Sequence, residues 1–192
     1  MPHYTPTNVA LDFVAKKRAW IAVRLQSAPD AAPIQAGSEI AYQGESYLIE
    51  WRENSPRTIR CHEGILCLGG PEQSIQPRIL RWLKTEARRI YTAEIAHYCA
   101  IAGEPVPRLS LGDPRSRWGS CSSRGTISLS WRLIMAPASV RRSVIAHEVA
   151  HMRHMNHSAD FYQWLDSLYE GNRKAADQWL KMHGTGLQRV GR

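Results

Sequence analysis

No apolar stretch in this sequence of 192 residues is long enough to cross a bilayer, which excludes a membrane-spanning helix. The N-terminal Met1-Pro2-His3-Tyr4-Thr5-Pro6 lacks the basic-then-apolar pattern of a secretory signal, so the chain is expected in the cytoplasm. Cysteine is scarce. Cys61, Cys67, Cys99 and Cys121 form no CxxC pair, which argues against a disulfide scaffold or a cysteine-held zinc and favours reduced, buried thiols. Cys121 has no dedicated base beside it and is not read as a nucleophile. Internal repeats and low-complexity tracts are missing as well. Acidic residues are outnumbered, 17 against 25 Lys and Arg, for a net charge of +8. That balance permits contact with nucleic acid or acidic substrates without demonstrating it. Arg78, Arg81, Lys84, Arg88 and Arg89 fall on one side of a helical pattern, where they are most simply its solvated face.

What is present divides into two parts. Residues 1–72 read as an N-terminal helix over about 9–25, a Pro-containing loop, and a β-rich subdomain. Short β-branched or aromatic runs at Ile40–Tyr42, Ser46–Trp51, Thr58–Cys61 and Gly64–Cys67 suggest a small antiparallel sheet closed by Gly69-Gly70-Pro71. Residues 73–192 read as the catalytic domain. A long helix runs from about Gln76 to Ala102 and is stopped by Gly103 and Pro105. Short strands follow at Arg108–Leu111, Arg117–Cys121 and Thr126–Trp131, the last with Ile127, Leu129 and Trp131 on one face. A helix starting near Pro137 is expected to reach about His154, and two more span Ala159–Tyr169 and Arg173–Met182, the latter bounded by Gly184.

The chemistry is carried by His147-Glu148-Val149-Ala150-His151. Four residues turn an α-helix by about 400°, so His147 and His151 project from one face a turn apart and can share an ion, with Glu148 alongside. Neutral imidazoles hold zinc, and a catalytic site uses three protein ligands. A metal-lowered water pKa near 7 together with Glu148 as general base would then provide a nucleophile at neutral pH. His157 is the leading third ligand, with His154 and Asp160 as competitors. At about 100° per residue, His157 points away from His151 on a continuous helix, so the helix must break first. Asn156, which tolerates the left-handed conformation, offers the break, and Ser158 is an N-cap for the next helix. The apolar spacing of Phe161, Trp164, Leu165 and Leu168 supports that helix.

Ser116-Arg117-Trp118-Gly119-Ser120-Cys121-Ser122, Thr126 to Leu133, the His147–His151 motif, and Asn156-His157-Ser158 with Phe161 together resemble the YgjP-like zinc metallopeptidases, relatives of the SprT and WLM proteases. The resemblance extends to Phe13–Leu25 and Gly44–Trp51, and so to most of the chain. It implies a zincin-like α+β domain of the gluzincin-like group, with one zinc ion on His147, His151 and His157 and Glu148 as base. Val149 stands where the family more often has Leu, and Arg141-Arg142-Ser143 replaces an apolar-aromatic approach; these bear on packing and substrate preference rather than on chemistry. Arg117, Trp118, Gly119 and Ser120 are candidate substrate-binding residues if their strand edges the sheet, since an extended peptide could then add to it. The alternative is that Trp118 anchors the core, Gly119 permits a bulge and Ser120 satisfies local backbone. His154, Tyr162 and Arg117 are candidates to stabilise an oxyanion. The expected activity is that of a zinc endopeptidase acting on peptides or proteins. The rivals are a DNA-associated SprT-like protease and a non-catalytic protein whose zinc is closed by a fourth ligand such as Asp160 or His154.

Overall fold

A computed structural model describes residues 33–191 and, before them, Asp12, Ala15 and Arg18. Apart from those three positions, the helix expected over 9–25 lies outside the described residues. By density of contacts the chain divides into Met1–Ala31 and Ala32–Arg192. The boundary expected after residue 72 falls inside the second unit, where a continuous apolar core runs from Ile34 to Leu187.

The N-terminal strands are β1 (Glu39–Tyr42), β2 (Glu45–Trp51), β3 (Arg60–His62) and β4 (Ile65–Leu68), in the order β1-β2-β4-β3. Gln43 and Gly44, both at positive φ, close a two-residue hairpin between β1 and β2. The sheet is mixed, not antiparallel as the sequence suggested: β4 lies parallel to β2, with β3 outside it. Burial explains the order. Leu66 and Leu68 of β4 are fully buried and need a central position, whereas every residue of β3 is exposed and suits an edge. Gly69 and Gly70 donate to the carbonyls of Pro56 (3.0 Å) and Glu53 (3.0 Å), tying down the connection that carries the chain outward to β3.

Helix α1 (Ile75–Ala102) buries Ile75, Ile79, Leu83, Ala87, Tyr91, Ile95 and Tyr98, a stripe at three- and four-residue spacing. It ends at Gly103, whose left-handed backbone lets its N–H bond back to the final turn. Arg81, Lys84 and Arg88 are exposed, as expected of a solvated face. Arg78 differs, since it donates to the carbonyls of Gly69 and Arg57, and Arg89 pairs with Glu86 at 2.6 Å.

The second sheet comprises β5 (Arg108–Gly112), β6 (Gly119–Cys121) and β7 (Thr126–Ser130), with β7 central, parallel to β5 and antiparallel to β6. A buried 3-10 turn, Trp131–Met135, leads into helix α2 (Ala138–Ala150). Gln43 and Gly44 donate to Ile134 and Met135 of that turn (2.8 and 3.1 Å), fastening the first hairpin beside the start of α2. A Cβ on Gly44 would sit 2.8 Å from Cα of Pro137, so the contact needs glycine as much as the turn does. Helices α3 (Ala159–Leu168) and α4 (Arg173–Leu187) complete an α+β domain. α4 runs through Gly184 instead of stopping there, because this glycine serves packing: a Cβ would come within 2.8 Å of the Trp118 indole. Among the described residues, no helix is long and apolar enough to cross a membrane. The cysteines are all free, but only Cys99 is buried; Cys61 is exposed, because β3 is an edge strand, and the other two are intermediate.

Candidate metal centre

Helix α2 buries Val140, Ile145 and Val149 on the core side and carries His147 and Glu148 along its last turn. It stops at Ala150, earlier than the expected His154, with His151 as its C-cap. Asn156 is not left-handed. The chain instead leaves the helix through a turn in which Arg153 and His154 both donate to Ala150 O (3.2 and 3.1 Å). Ser158 then caps α3 as expected, accepting from Phe161 N at 3.3 Å. His157 therefore occupies the corner between two helices.

The three imidazoles converge. Nε2 of His147 lies 3.1 Å from Nε2 of His151 and 3.1 Å from Nε2 of His157. The ligand atoms of all three lie within 4.8 Å of one another. His151 Nδ1–H donates to His154 O at 2.9 Å, which fixes the tautomer and leaves Nε2 with its lone pair inward. Phe161 packs against every ring of the group, its centroid 5.0 Å from His147, 4.6 Å from His151 and 4.9 Å from His157. Burial, then the neighbouring histidines and Arg173, push His147 down to about 4. Burial also lowers His151. Both are thus neutral near pH 7, the state in which imidazole ligates a metal. Neither His154 nor Asp160 belongs to the group among the described residues; His154 contributes through its carbonyl.

Glu148 is only 5% exposed, and its Oε2 has no hydrogen-bond partner. Burial pushes its carboxyl up to about 7, against the opposing charge of Arg117. A buried carboxylate oxygen left bare beside three inward-facing nitrogens is the polar surplus that a cation and its bound water would satisfy. The donor set therefore fits zinc.

Strand β6 brings its residues to this centre in different ways. A Cβ on Gly119 would lie 2.5 Å from Oε1 of Glu148, so glycine is required here by the close approach of the carboxylate rather than by a bulge. Trp118 and Gly119 line a cavity of about 240 Å³ together with His147, Glu148, Tyr162 and Arg173. Ser120 pairs with Ser128 inside the sheet, and Arg117 borders a neighbouring hollow instead. Of the oxyanion candidates, Tyr162 lines the cavity, Arg117 acts on Glu148 through its charge, and His154 borders a separate hollow with Asp160. Arg173 was not legible in sequence. It opens α4, pairs with Asp166 at 3.0 Å and lies 4.7 Å over the Tyr162 ring. No local motif announces it, and only the packing of α4 brings it to the site.

The model of the YgjP-like metallopeptidase domain matches residues 1–183. Among solved structures, the crystal structure of the metallopeptidase zymogen of Pyrococcus abyssi abylysin is similar at a TM-score of 0.44 and 21% identity, over 52% of this chain and 97% of that one. No curated protein matches.

Proposed function

The chain belongs to the YgjP-like metallopeptidase family, and from that premise we propose that it cleaves peptide bonds, as an endopeptidase, with Glu148 as general base and one zinc ion held by His147, His151 and His157. The observation that carries this reading is the convergence of three imidazole Nε2 atoms beside a buried carboxylate with one oxygen bare. Bound zinc would supply Lewis acidity and bring a water's pKa down toward about 7.

The chain's own residues account for the rest. Glu148, raised to about 7 by its burial, is suited to accept a proton from water and return it to the leaving amine. Gly119 keeps room for that carboxylate. Register indicates how a substrate would lie. Ser130 N donates to Trp118 O (2.8 Å) and Ser122 N to Thr126 O (3.0 Å), so alternation turns the N–H and C=O of Gly119 and Cys121 away from β7. An extended peptide added to β6 at those groups passes along the cavity mouth. Tyr162 and Arg173 line the same cavity as Gly119 and can donate to a developing oxyanion. A structural site would need a fourth ligand, and the group gathers three among the described residues.

Glu148→Gln should keep zinc and lose activity by about 10² or more, whereas His151→Ala should lose zinc as well. Metal content and cleavage of a denatured protein substrate are the measurements. Full activity in Glu148→Gln would overturn the assignment.

A further inference from the structure

Trp118 has a hollow on either side. One is the cavity at His147 and Glu148; the other, of about 320 Å³, is bordered by Arg115, Arg117 and Lys181. The two share Trp118 and Leu180 as their common wall. Trp118 stands there because Gly184 of α4 has no side chain to obstruct its indole. Arg115, Arg117 and Lys181 are exposed, and none makes an ion pair among the described residues, unlike Arg132, Arg141, Arg142, Arg153 and Arg173, which are all matched to carboxylates. No carboxylate borders this second hollow. Three cations from two separate elements, the loop before β6 and helix α4, therefore border one groove that no carboxylate lines, Arg117 sensing only the charge of Glu148 in the adjoining cavity.

The direction of β6 determines which part of a substrate would meet them. Residues 115–118 lead into Gly119, so the groove lies at the N-terminal end of β6. Antiparallel addition is the more stable pairing, and it runs a peptide's C-terminal part toward the strand's N-terminal end. We propose that the groove of Arg115, Arg117 and Lys181 is a specificity subsite for carboxylates on the leaving side of the scissile bond, whether an acidic side chain or a free C-terminus. This rests on the peptidase reading above and adds the substrate class to it. Exposed ion pairs are individually weak, so several acting together should give a preference of about tenfold.

The deciding experiment measures binding rather than turnover. Labelled peptides with glutamates in the C-terminal half, with glutamates in the N-terminal half, or with glutamines throughout are titrated by fluorescence anisotropy into zinc-loaded Glu148→Gln protein. The C-terminally acidic peptide should bind about tenfold tighter than the other two. Arg115→Glu with Lys181→Glu should abolish that advantage. Arg81→Glu with Arg88→Glu, an equal charge change on the exposed face of α1, should leave it intact and so separate the groove from general attraction to a basic protein. Equal affinities that amidating the C-terminus of the glutamine peptide leaves unchanged, an advantage that survives the groove variant, or one lost in the α1 variant would overturn the proposal. So would a single-stranded oligonucleotide that binds the groove more tightly than the acidic peptide, since the subsite would then be one for phosphate. Amidating the C-terminus of the glutamine peptide distinguishes a terminal carboxylate from an acidic side chain. Cleavage by zinc-loaded wild type is read separately. Failure to cleave any peptide counts against the peptidase reading, whereas cleavage without acidic preference counts against the subsite alone.

Discussion

At the scale of single residues, two glycines shape the cleft at His147 and Glu148 by what they omit. Gly119 makes space for Glu148 Oε1, and Gly184 makes space for Trp118. Neither needs a positive φ, so their role is steric. Gly119→Ala would set a methyl 2.5 Å from the carboxylate, and the side chain that yields is the one proposed as base. Since the obstructed atoms are the far end of Glu148, the fold should tolerate the change while catalysis does not. The expected result is kcat lowered by about 10² with zinc content and thermal midpoint nearly unchanged, in keeping with the sensitivity of catalysis to displacements of about 1 Å. Unaltered kcat would mean that the carboxylate has room elsewhere.

At the scale of elements, the third histidine depends on how α2 ends and α3 begins. α2 stops at Ala150, the chain turns, and Ser158 caps α3 directly after His157. The cap therefore holds the corner from which His157 reaches His147. Ser158→Ala should cost about 1 kcal/mol of stability, the usual loss for an N-cap. It should also weaken zinc retention against a chelator, because the freed turn no longer holds the imidazole in place. Competition with a fluorescent chelator would detect this. If stability falls but zinc affinity does not, His157 is positioned by Phe161 packing rather than by the cap. Arg141 is buried on α2 and forms a two-pronged pair with Glu94 of α1 at 2.8 and 2.9 Å, so its buried charge is matched across the two helices.

At the scale of the whole molecule, a metal held by the three histidines would be coupled to stability through pH. His147 is lowered from 6.5 to about 4, so its contribution is present above pH 6.5 and is lost as pH falls toward 4. Glu148 is raised from 4.5 to about 7, so its contribution is present below pH 4.5 and is lost as pH rises through 7. In metal-free protein these two trends oppose each other over nearly the same window, and His151, also lowered, leaves a modest loss on the acid side. With zinc bound, the histidines must all stay unprotonated, so acid removes the metal's stabilisation as well. Urea midpoints should thus change little between pH 4.5 and 6.5 after chelator treatment, yet with zinc supplied they should fall steeply as the pH is lowered from 6.5 to 4.5. Parallel profiles would argue that metal does not bind at these histidines. Arg132 shows the same long-range closure without metal. Though 1% exposed, it pairs with Asp113 and donates to the carbonyls of Leu187 and Val190, joining the end of β7 to the end of α4.

Most elements were legible because their signals are local: the apolar stripe of α1, the Gly103 stop, the alternation of β7 and the cap at Ser158. The mixed sheet was not legible, because strand order depends on which strand must be buried and not on the composition of any one run. Gly184 misled for a similar reason, since a glycine that serves a neighbour's packing looks in sequence like one that ends a helix. The spacing of His147, Glu148 and His151 was enough on its own to put two imidazoles and a carboxylate on adjacent faces of a helical turn, because helical geometry is set within a few residues. The meeting of His157 with that pair was decided by tertiary structure, as were the approach of Gly119 to Glu148, the arrival of Arg173 and the alignment of three cations beside Trp118. Each of these brings together groups from separate elements, and such contacts exist only once a shared core has fixed how the elements pack.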